Sequence, residues 1–482
     1  MFKYDVLIKG SSSNDGELKV KSAFDEKEIG SVMTADGAGV EKALSTAYEL
    51  FHDRKKWLST EKRIEILKKA AISMAGQKDD LAKMMAAEGG KPLIDSLVEV
   101  QRAIEGIECC IETIKTSIGR EIPMNLNAAS NGKLAFTSRE PIGVVAAVSA
   151  FNHPLNLIVH QVAPAVAVGC PVIVKPAEDT PLSCMRFVKI LHESGLPEEW
   201  CQAFVVNKME NATKLVTDKR ISFFTFIGSA KVGWYLKSQL SPGVHCALEH
   251  GGAAPVILDQ TADLDSAIPK IVKGGFYHAG QVCVSVQRVF AHESIADDVA
   301  KRIAEKAKQL KVGDPTVNTT EVGPLIRRRE VDRVDEWVKE AVKEGGKLLA
   351  GGNKIGETCY EPTLLFNPPD TSKVSQNEIF GPVVCVYSYK DVNSAFERAN
   401  SIPFSFQAAV FTKDIDLAMT AYRKLHARAV MVNEHTAFRV DWMPFGGHMQ
   451  SGLGTGGIPY TIADLHTEKM MVISSSGLIT NS

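Results

Sequence analysis

Nine cysteines are scattered through the 482 residues, and one of them, Cys283, stands where a thiol can work. It closes Gly280-Gln281-Val282-Cys283, a small-residue turn between a helical pattern and an apolar strand, where a side chain can face a cleft instead of a core. Free cysteine is mostly protonated at neutral pH, so a nucleophilic one needs a positive or hydrogen-bonding surrounding. The ordinary role of a lone cysteine is structural burial, and context lifts this one above it. Glu249 ends an apolar strand just before Gly251 and Gly252, as a turn cap or as a base held in a partly dry cleft with a raised pKa. Asn152, in Phe151-Asn152-His153-Pro154, lies where a strand turns into a helix. An amide there is either a helix N-cap or an oxyanion donor, the latter typically worth ~3 kcal/mol.

Glycine turns are the next feature. Gly228-Ser229-Ala230-Lys231-Val232-Gly233 falls between a strand and a helix and can offer amide donors to a pyrophosphate. The only GxGxxG, Gly452 to Gly457, follows no predicted strand and opens no βαβ unit, so it is set aside as a nucleotide loop. Lys175 and Glu178, at the end of another apolar strand, form a surface ion pair or a clamp for ribose hydroxyls.

The elements that must carry these residues alternate. From Pro141 to Val174 there is no charged residue, yet Pro154, Pro164 and Pro171 and the polar cluster Asn152, His153, Asn156 argue against a membrane helix. The better parse is strand Val144 to Val148, helix Leu155 to Val168 and strand Val172 to Val174, a buried βαβ unit. Long amphipathic helices fill the first third, and the segment Gly119 to Ser138 loses periodicity and reads as an excursion. Strand and helix patterns restart at Pro255 and alternate to Asn433, which predicts two α/β sheet domains in series. Lys469 to Ile473 has β composition and is expected to pair with the excursion or with another subunit.

Composition agrees with an ordinary globular chain. Lys plus Arg number 55 against 57 Asp plus Glu, 45% of residues are hydrophobic, and the length allows two to four domains. A nucleic-acid partner, which usually demands a basic excess, is not expected. The odd number of cysteines and the absence of CxxC suggest a reducing compartment, and the start lacks a signal peptide's regions, so a cytoplasmic protein is expected, with no metal and no membrane partner.

These residues, in this order, resemble the aldehyde dehydrogenase superfamily from about Ala43 to Ile473. Its motifs appear here as Asn152, Lys175 with Glu178, Gly228 with Ser229 and Gly233, Glu249, Gly280 to Cys283, Glu378 to Pro382, and Pro444 to Gly447. Each motif alone is weak, but seven matches in order are specific. The resemblance implies a Rossmann-like cofactor domain (1–118 and 142–250), an α/β catalytic domain (251–450) and a small β oligomerisation segment (119–141 and 462–482), assembled as a homodimer or homotetramer.

It also implies a reaction. Cys283 would attack an aldehyde carbonyl, Asn152 and the Cys283 N–H would hold the oxyanion, and Glu249 would activate the water that releases the acid. Lys175 and Glu178 would hold the adenosine ribose, Ser229 the pyrophosphate, and Glu378 and Phe380 the nicotinamide side. A carboxylate at Glu178 repels a 2′-phosphate, so NAD is expected ahead of NADP.

Three residues depart from the family pattern: His153, His250 and His278 stand where an aromatic, an apolar residue and Asn are common. None removes a catalytic group. His153, Arg102 and Arg439 could converge on an anion, and a similar pattern occurs in relatives acting on lactaldehyde or phosphonoacetaldehyde. The phosphonate enzyme carries Arg before its nucleophile, where this chain has Val282, so a small polar or carboxylated aldehyde is expected instead. Two rivals are weighed. A coenzyme A acylating dehydrogenase typically lacks the base at Glu249, and a cysteine hydrolase pairing Cys283 with His278 would not need the nucleotide motifs.

Overall fold

The computed structural model describes residues 1–479. Two α/β sheets and a smaller antiparallel sheet organise it.

The first sheet has six strands in the order Gly452–Leu453, His245–Glu249, Ile221–Ile227, Val144–Val148, Val172–Lys175, Cys201–Ala203. All neighbours are parallel except Gly452–Leu453, which returns antiparallel along His245–Glu249. From Val144–Val148 the chain builds outward first on one side and then on the other. That reversal opens a crevice at the carboxyl ends of the strands, the usual ligand position in such sheets. The uncharged run resolves into strand Val144–Val148, helix Asn156–Val168 and strand Val172–Lys175. The helix is buried throughout, which is why its sequence shows no polar face.

Its amino end is capped from another helix. Glu99, on helix Leu93–Lys115, accepts from the Leu155 and Asn156 N–H groups at 3.1 and 3.0 Å. Lys91, fully buried, neutralises Glu99 through a close ion pair, as a buried carboxylate requires.

The second sheet has seven strands in the order Lys347–Ala350, Thr363–Phe366, Val383–Tyr389, Val286–His292, Ala254–Leu258, Gln407–Phe411, Ala429–Val432, parallel except for the first pair. Most of its strands follow the β-branched runs of the sequence. The strands Lys347–Ala350 and Thr363–Phe366, and an amino-terminal sheet of Phe2–Tyr4, Asn14–Lys21 and Glu28–Ala35, were not among the expected elements.

The excursion is not irregular throughout. Lys133–Pro141 forms a strand, and His466–Ser474 pairs with it antiparallel along its whole length, with Glu121–Ile122 on the other side. The expected segment 462–482 runs beyond the described residues at its last three positions. Among the described residues no helix is long and apolar enough to cross a membrane.

Candidate active site

The carboxyl edge of the first sheet faces the amino edge of the second. Asn152 follows strand Val144–Val148, Gly228 and Ser229 follow Ile221–Ile227, and Glu249 ends its own strand. Opposite them, Cys283 precedes Val286–His292, and Glu378 and Phe380 precede Val383–Tyr389. All seven line one cavity of about 1020 Å³, together with Lys175, Glu178, Arg102, His153 and Arg439. Of the residues singled out in the sequence, Gly233 is not on its wall. It lies one turn into helix Ala230–Ser238, where a Cβ would stand 2.0 Å from the His250 ring.

The turn carrying the thiol is strained and tightly held. His278, Ala279 and Gly280 have φ of 50, 54 and 69°, a left-handed run that only glycine adopts freely. At Gly280 a Cβ would lie 2.1 Å from the Gly381 carbonyl oxygen, so the turn packs directly on the loop bearing Glu378 and Phe380. The Gln281 side chain braces it, donating to the Pro324 carbonyl at 3.1 Å and accepting from the Ile326 N–H at 2.9 Å. Asn152 Nδ2 donates to the Gln281 carbonyl oxygen at 3.0 Å. One amide hydrogen is thereby committed, and the second remains for a ligand.

Burial shifts the acidic groups of the site towards their protonated forms. Burial, then the Glu249 carboxyl, pushes the Cys283 thiol up to about 12, and Arg439 pulls against them. Burial raises the Glu249 carboxyl, again opposed by Arg439. Glu378 is pushed up to about 7 by burial, although the Gly252 N–H donates to it at 3.0 Å. Arg439 is therefore the cation to which both the thiol and the base respond.

Gly456 belongs to this site. A Cβ there would come within 2.2 Å of Glu249 Oε1. The loop set aside as a nucleotide-binding motif instead lies under the carboxylate, because Gly452–Leu453 returns to the first sheet.

The nucleotide end of the cavity fits a dinucleotide. Ser229 opens helix Ala230–Ser238 without capping it by its own side chain, which leaves N–H donors at a helix amino end for an anion. Ala212, Val216, Val232 and Leu236 supply an apolar wall suited to an adenine. Lys175 Nζ pairs with Glu178 at 2.5 Å, and the Lys175 charge holds the Glu178 carboxyl low against its burial. His250 Nδ1 bonds the Gly228 carbonyl oxygen at 3.0 Å, so this departure supports the glycine turn from below.

At the substrate end the three expected cationic groups differ. Arg102 is engaged by Asp441, through Nε at 3.1 Å and Nη2 at 2.7 Å. His153 is driven by burial, then by Lys91, well below its ordinary pKa, and its Nε2 lies 3.1 Å from the Tyr277 hydroxyl. Arg439 lies flat on Phe445, its guanidinium carbon 3.6 Å from the ring centroid, and its Nε is buried without a partner among the described residues. Of the three groups expected to converge, Arg439 alone is a cation without a carboxylate partner among the described residues. Tyr277, His160 and Asp441 escaped the sequence reading, and Phe445 entered it only as part of the Pro444 to Gly447 motif.

A thiol, an amide and a carboxyl lining one cavity with a dinucleotide crevice fit an oxidoreductase of the α/β class. The chain belongs to the aldehyde dehydrogenase family, whose model matches residues 10–471. It is an NAD(P)-dependent aldehyde dehydrogenase. It is 35% identical over 474 residues to a 3-sulfolactaldehyde dehydrogenase of Priestia aryabhattai, covering 98% of each chain. Among solved structures it resembles aldehyde dehydrogenase 21 of Physcomitrella patens in complex with its product succinate (TM-score 0.94, 33% identity, 98% of this chain and 99% of that one). It also resembles the glyceraldehyde-3-phosphate dehydrogenase GapN of Methanocaldococcus jannaschii complexed with NADP (TM-score 0.91, 32% identity, 96% and 100%).

Proposed function

We propose that the protein oxidises a small polar or anionic aldehyde to its carboxylic acid through an acyl group carried on Cys283. The observation that carries the reading is the convergence of Cys283, Asn152 and Glu249 on one cavity with the nucleotide cradle.

Cys283 gives up its thiol proton to solvent and adds to the carbonyl carbon. The free hydrogen of the Asn152 amide and the Cys283 N–H hold the oxyanion of the adduct. Bound NAD(P)+ supplies the hydride acceptor that lets the adduct become a thioester. Glu249, ionised, then takes a proton from the water that attacks the thioester. Cys283 leaves as the thiol and the acid departs.

Lys175 and Glu178 hold the adenosine ribose, Ser229 the pyrophosphate, and Glu378 with Phe380 the nicotinamide ribose and ring. The Glu178 carboxylate disfavours a 2′-phosphate, which places NAD ahead of NADP.

Arg439 meets a negative or strongly polar group on the substrate. The Priestia relative, by its name, oxidises a sulfonated aldehyde, and the Physcomitrella enzyme binds a dicarboxylate product, and both fit an anion opposite this guanidinium. Glu249 favours release of free acid over transfer to coenzyme A.

The division 1–118 with 142–250, 251–450, and 119–141 with 462–482 is supported by the separate sheets holding Val144–Val148, Val286–His292 and Lys133–Pro141, while Gly452–Leu453 joins the first sheet from outside it. Met470, Met471, Val472 and Ile473 are exposed on the strand His466–Ser474, which suits a homodimer or homotetramer joined there. The free state of all nine cysteines suits a cytoplasmic setting.

A panel of neutral, hydroxylated, carboxylated and sulfonated aldehydes, followed by reduced-cofactor absorbance with NAD and NADP in parallel, tests the reading. Highest kcat/KM on an anionic or hydroxylated member with NAD is expected. Preference for long apolar aldehydes would overturn the substrate class.

A further inference from the structure

We propose that His160 is a positioning residue for this reaction: fixed in one tautomer by Asp441, it offers Nδ1 to Arg439 and sets where the guanidinium meets substrate.

His160 is buried on helix Asn156–Val168, and its Nε2 lies 2.7 Å from Asp441 Oδ1. Asp441 also accepts from Arg102 twice and from Asn156 Nδ2 at 3.2 Å. Such a carboxylate is an acceptor only, so the imidazole hydrogen sits on Nε2 and Nδ1 keeps its lone pair. Arg439 Nη2 reaches that lone pair in a long hydrogen bond of 3.4 Å. Burial, then the Arg439 charge, pushes His160 down to about 4, so the ring stays a neutral acceptor. Phe445 fixes the face of the guanidinium and His160 one edge, leaving the remaining donors for a ligand. The chain Arg102, Asp441, His160, Arg439 thus links the wall of the cavity to the group that bears on Cys283 and Glu249. Neither His160 nor Asp441 needs to touch the substrate.

The inference rests on the reading that Arg439 receives the substrate's anionic group. The test compares succinic semialdehyde with propionaldehyde, with NAD, for His160→Leu, His160→Asn, His160→Gln, Arg439→Ala and the His160→Leu/Arg439→Ala double variant. Loss of a charge-assisted hydrogen bond predicts a KM for succinic semialdehyde raised about tenfold in His160→Leu, with kcat falling less than KM rises. His160→Asn, whose amide oxygen occupies the Nδ1 position, should restore most of the loss. His160→Gln, which keeps a donor for Asp441 but no acceptor at Nδ1, should not, and this pair carries the test if His160→Leu fails to fold.

The double variant should be no worse than Arg439→Ala alone, because the two residues act as one unit. Multiplying effects, or His160→Asn no better than His160→Gln, would overturn the proposal. Should Arg439→Ala leave the ratio of the two aldehydes unchanged, the anion reading falls by itself. The alkylation rate of Cys283 by iodoacetamide then decides: positioning requires His160→Leu and Arg439→Ala to shift it alike and without multiplying, and a rate changed by Arg439→Ala alone would overturn it.

Discussion

Asn152 donates its side-chain amide to the backbone carbonyl of Gln281 at 3.0 Å, across 129 residues of sequence. That bond joins the carboxyl edge of the first sheet to the strained turn of the second, two residues before the thiol. It fixes the amide plane and aims the free hydrogen, so the oxyanion donor we propose is oriented before any substrate arrives. Asn152→Ala is expected to lower kcat by roughly a hundredfold, the usual loss of one oxyanion donor. Asn152→Asp should lower it further, because a carboxylate repels the oxyanion. Stopped-flow rates of cofactor reduction check both.

Gly456→Ala is expected to displace the Glu249 carboxylate, since the new Cβ would stand 2.2 Å from Oε1 and 3.0 Å from the Phe445 carbonyl oxygen. A misplaced base of this kind costs on the order of a hundredfold in turnover. Release of the acid should slow while the first turnover stays fast, which a pre-steady-state burst of reduced cofactor would reveal.

Arg439→Ala should raise KM for acidic aldehydes by about tenfold or more, as loss of a charged donor does. Arg102→Ala should act mainly on stability, since it strips Asp441 of its bidentate partner and leaves a buried carboxylate with Asn156 and His160 alone. Thermal unfolding and KM measured together separate the two. An unchanged KM in both variants would end the anion-pocket reading.

The Glu378 contribution to stability should fall as pH rises from about 4.5 towards about 7, while the buried histidines, lowered by desolvation, act in the opposite sense. Glu378 has an ordinary value of 4.5 and is pushed up to about 7 in the fold, and Glu88 shows the same shift from the same burial. A carboxyl raised on folding binds its proton more tightly in the native state, so its contribution is present below the unfolded value and is lost as pH climbs through the folded one. Glu378→Gln removes this contribution, so the wild-type-minus-variant difference in urea unfolding should shrink as pH rises across that range. A difference that does not vary with pH would mean that folding does not raise the Glu378 carboxyl.

Much of the site was legible because its motifs lie at strand ends. Gly228 with Ser229 and Glu249 sit where an apolar run stops and Cys283 just before one begins, and that punctuation survives in the sequence. The strand Val144–Val148 and the helix Asn156–Val168 fall where the uncharged run placed them, the helix starting one residue later.

What stayed hidden depends on partners distant in the chain. Arg102 looked free until Asp441, 339 residues away, claimed it. His160 gave no signal, since a histidine in an apolar helix is most often a satisfied core residue. The loop Gly452 to Gly457 looked idle because its two-residue strand is stabilised by His245–Glu249 and not by its own propensity. The strand Lys133–Pro141 was obscured because its alternation gains meaning only against the terminal strand.

Glu178→Gln should move cofactor choice towards NADP. Removing the repulsion of a 2′-phosphate is expected to lower KM for NADP by about tenfold while that for NAD changes less. If wild-type KM for NADP already lies below that for NAD, Glu178 does not select the cofactor.

The central claim is that one acyl group rides on Cys283 and leaves by way of Glu249. Glu249→Gln mixed with aldehyde and NAD, quenched after one turnover and examined by mass spectrometry, tests it most directly. The account predicts one equivalent of reduced cofactor in a burst, little acid, and the acyl mass on the peptide bearing Cys283, absent from Cys283→Ala. Full turnover by Glu249→Gln, or an adduct on any other residue, would contradict it.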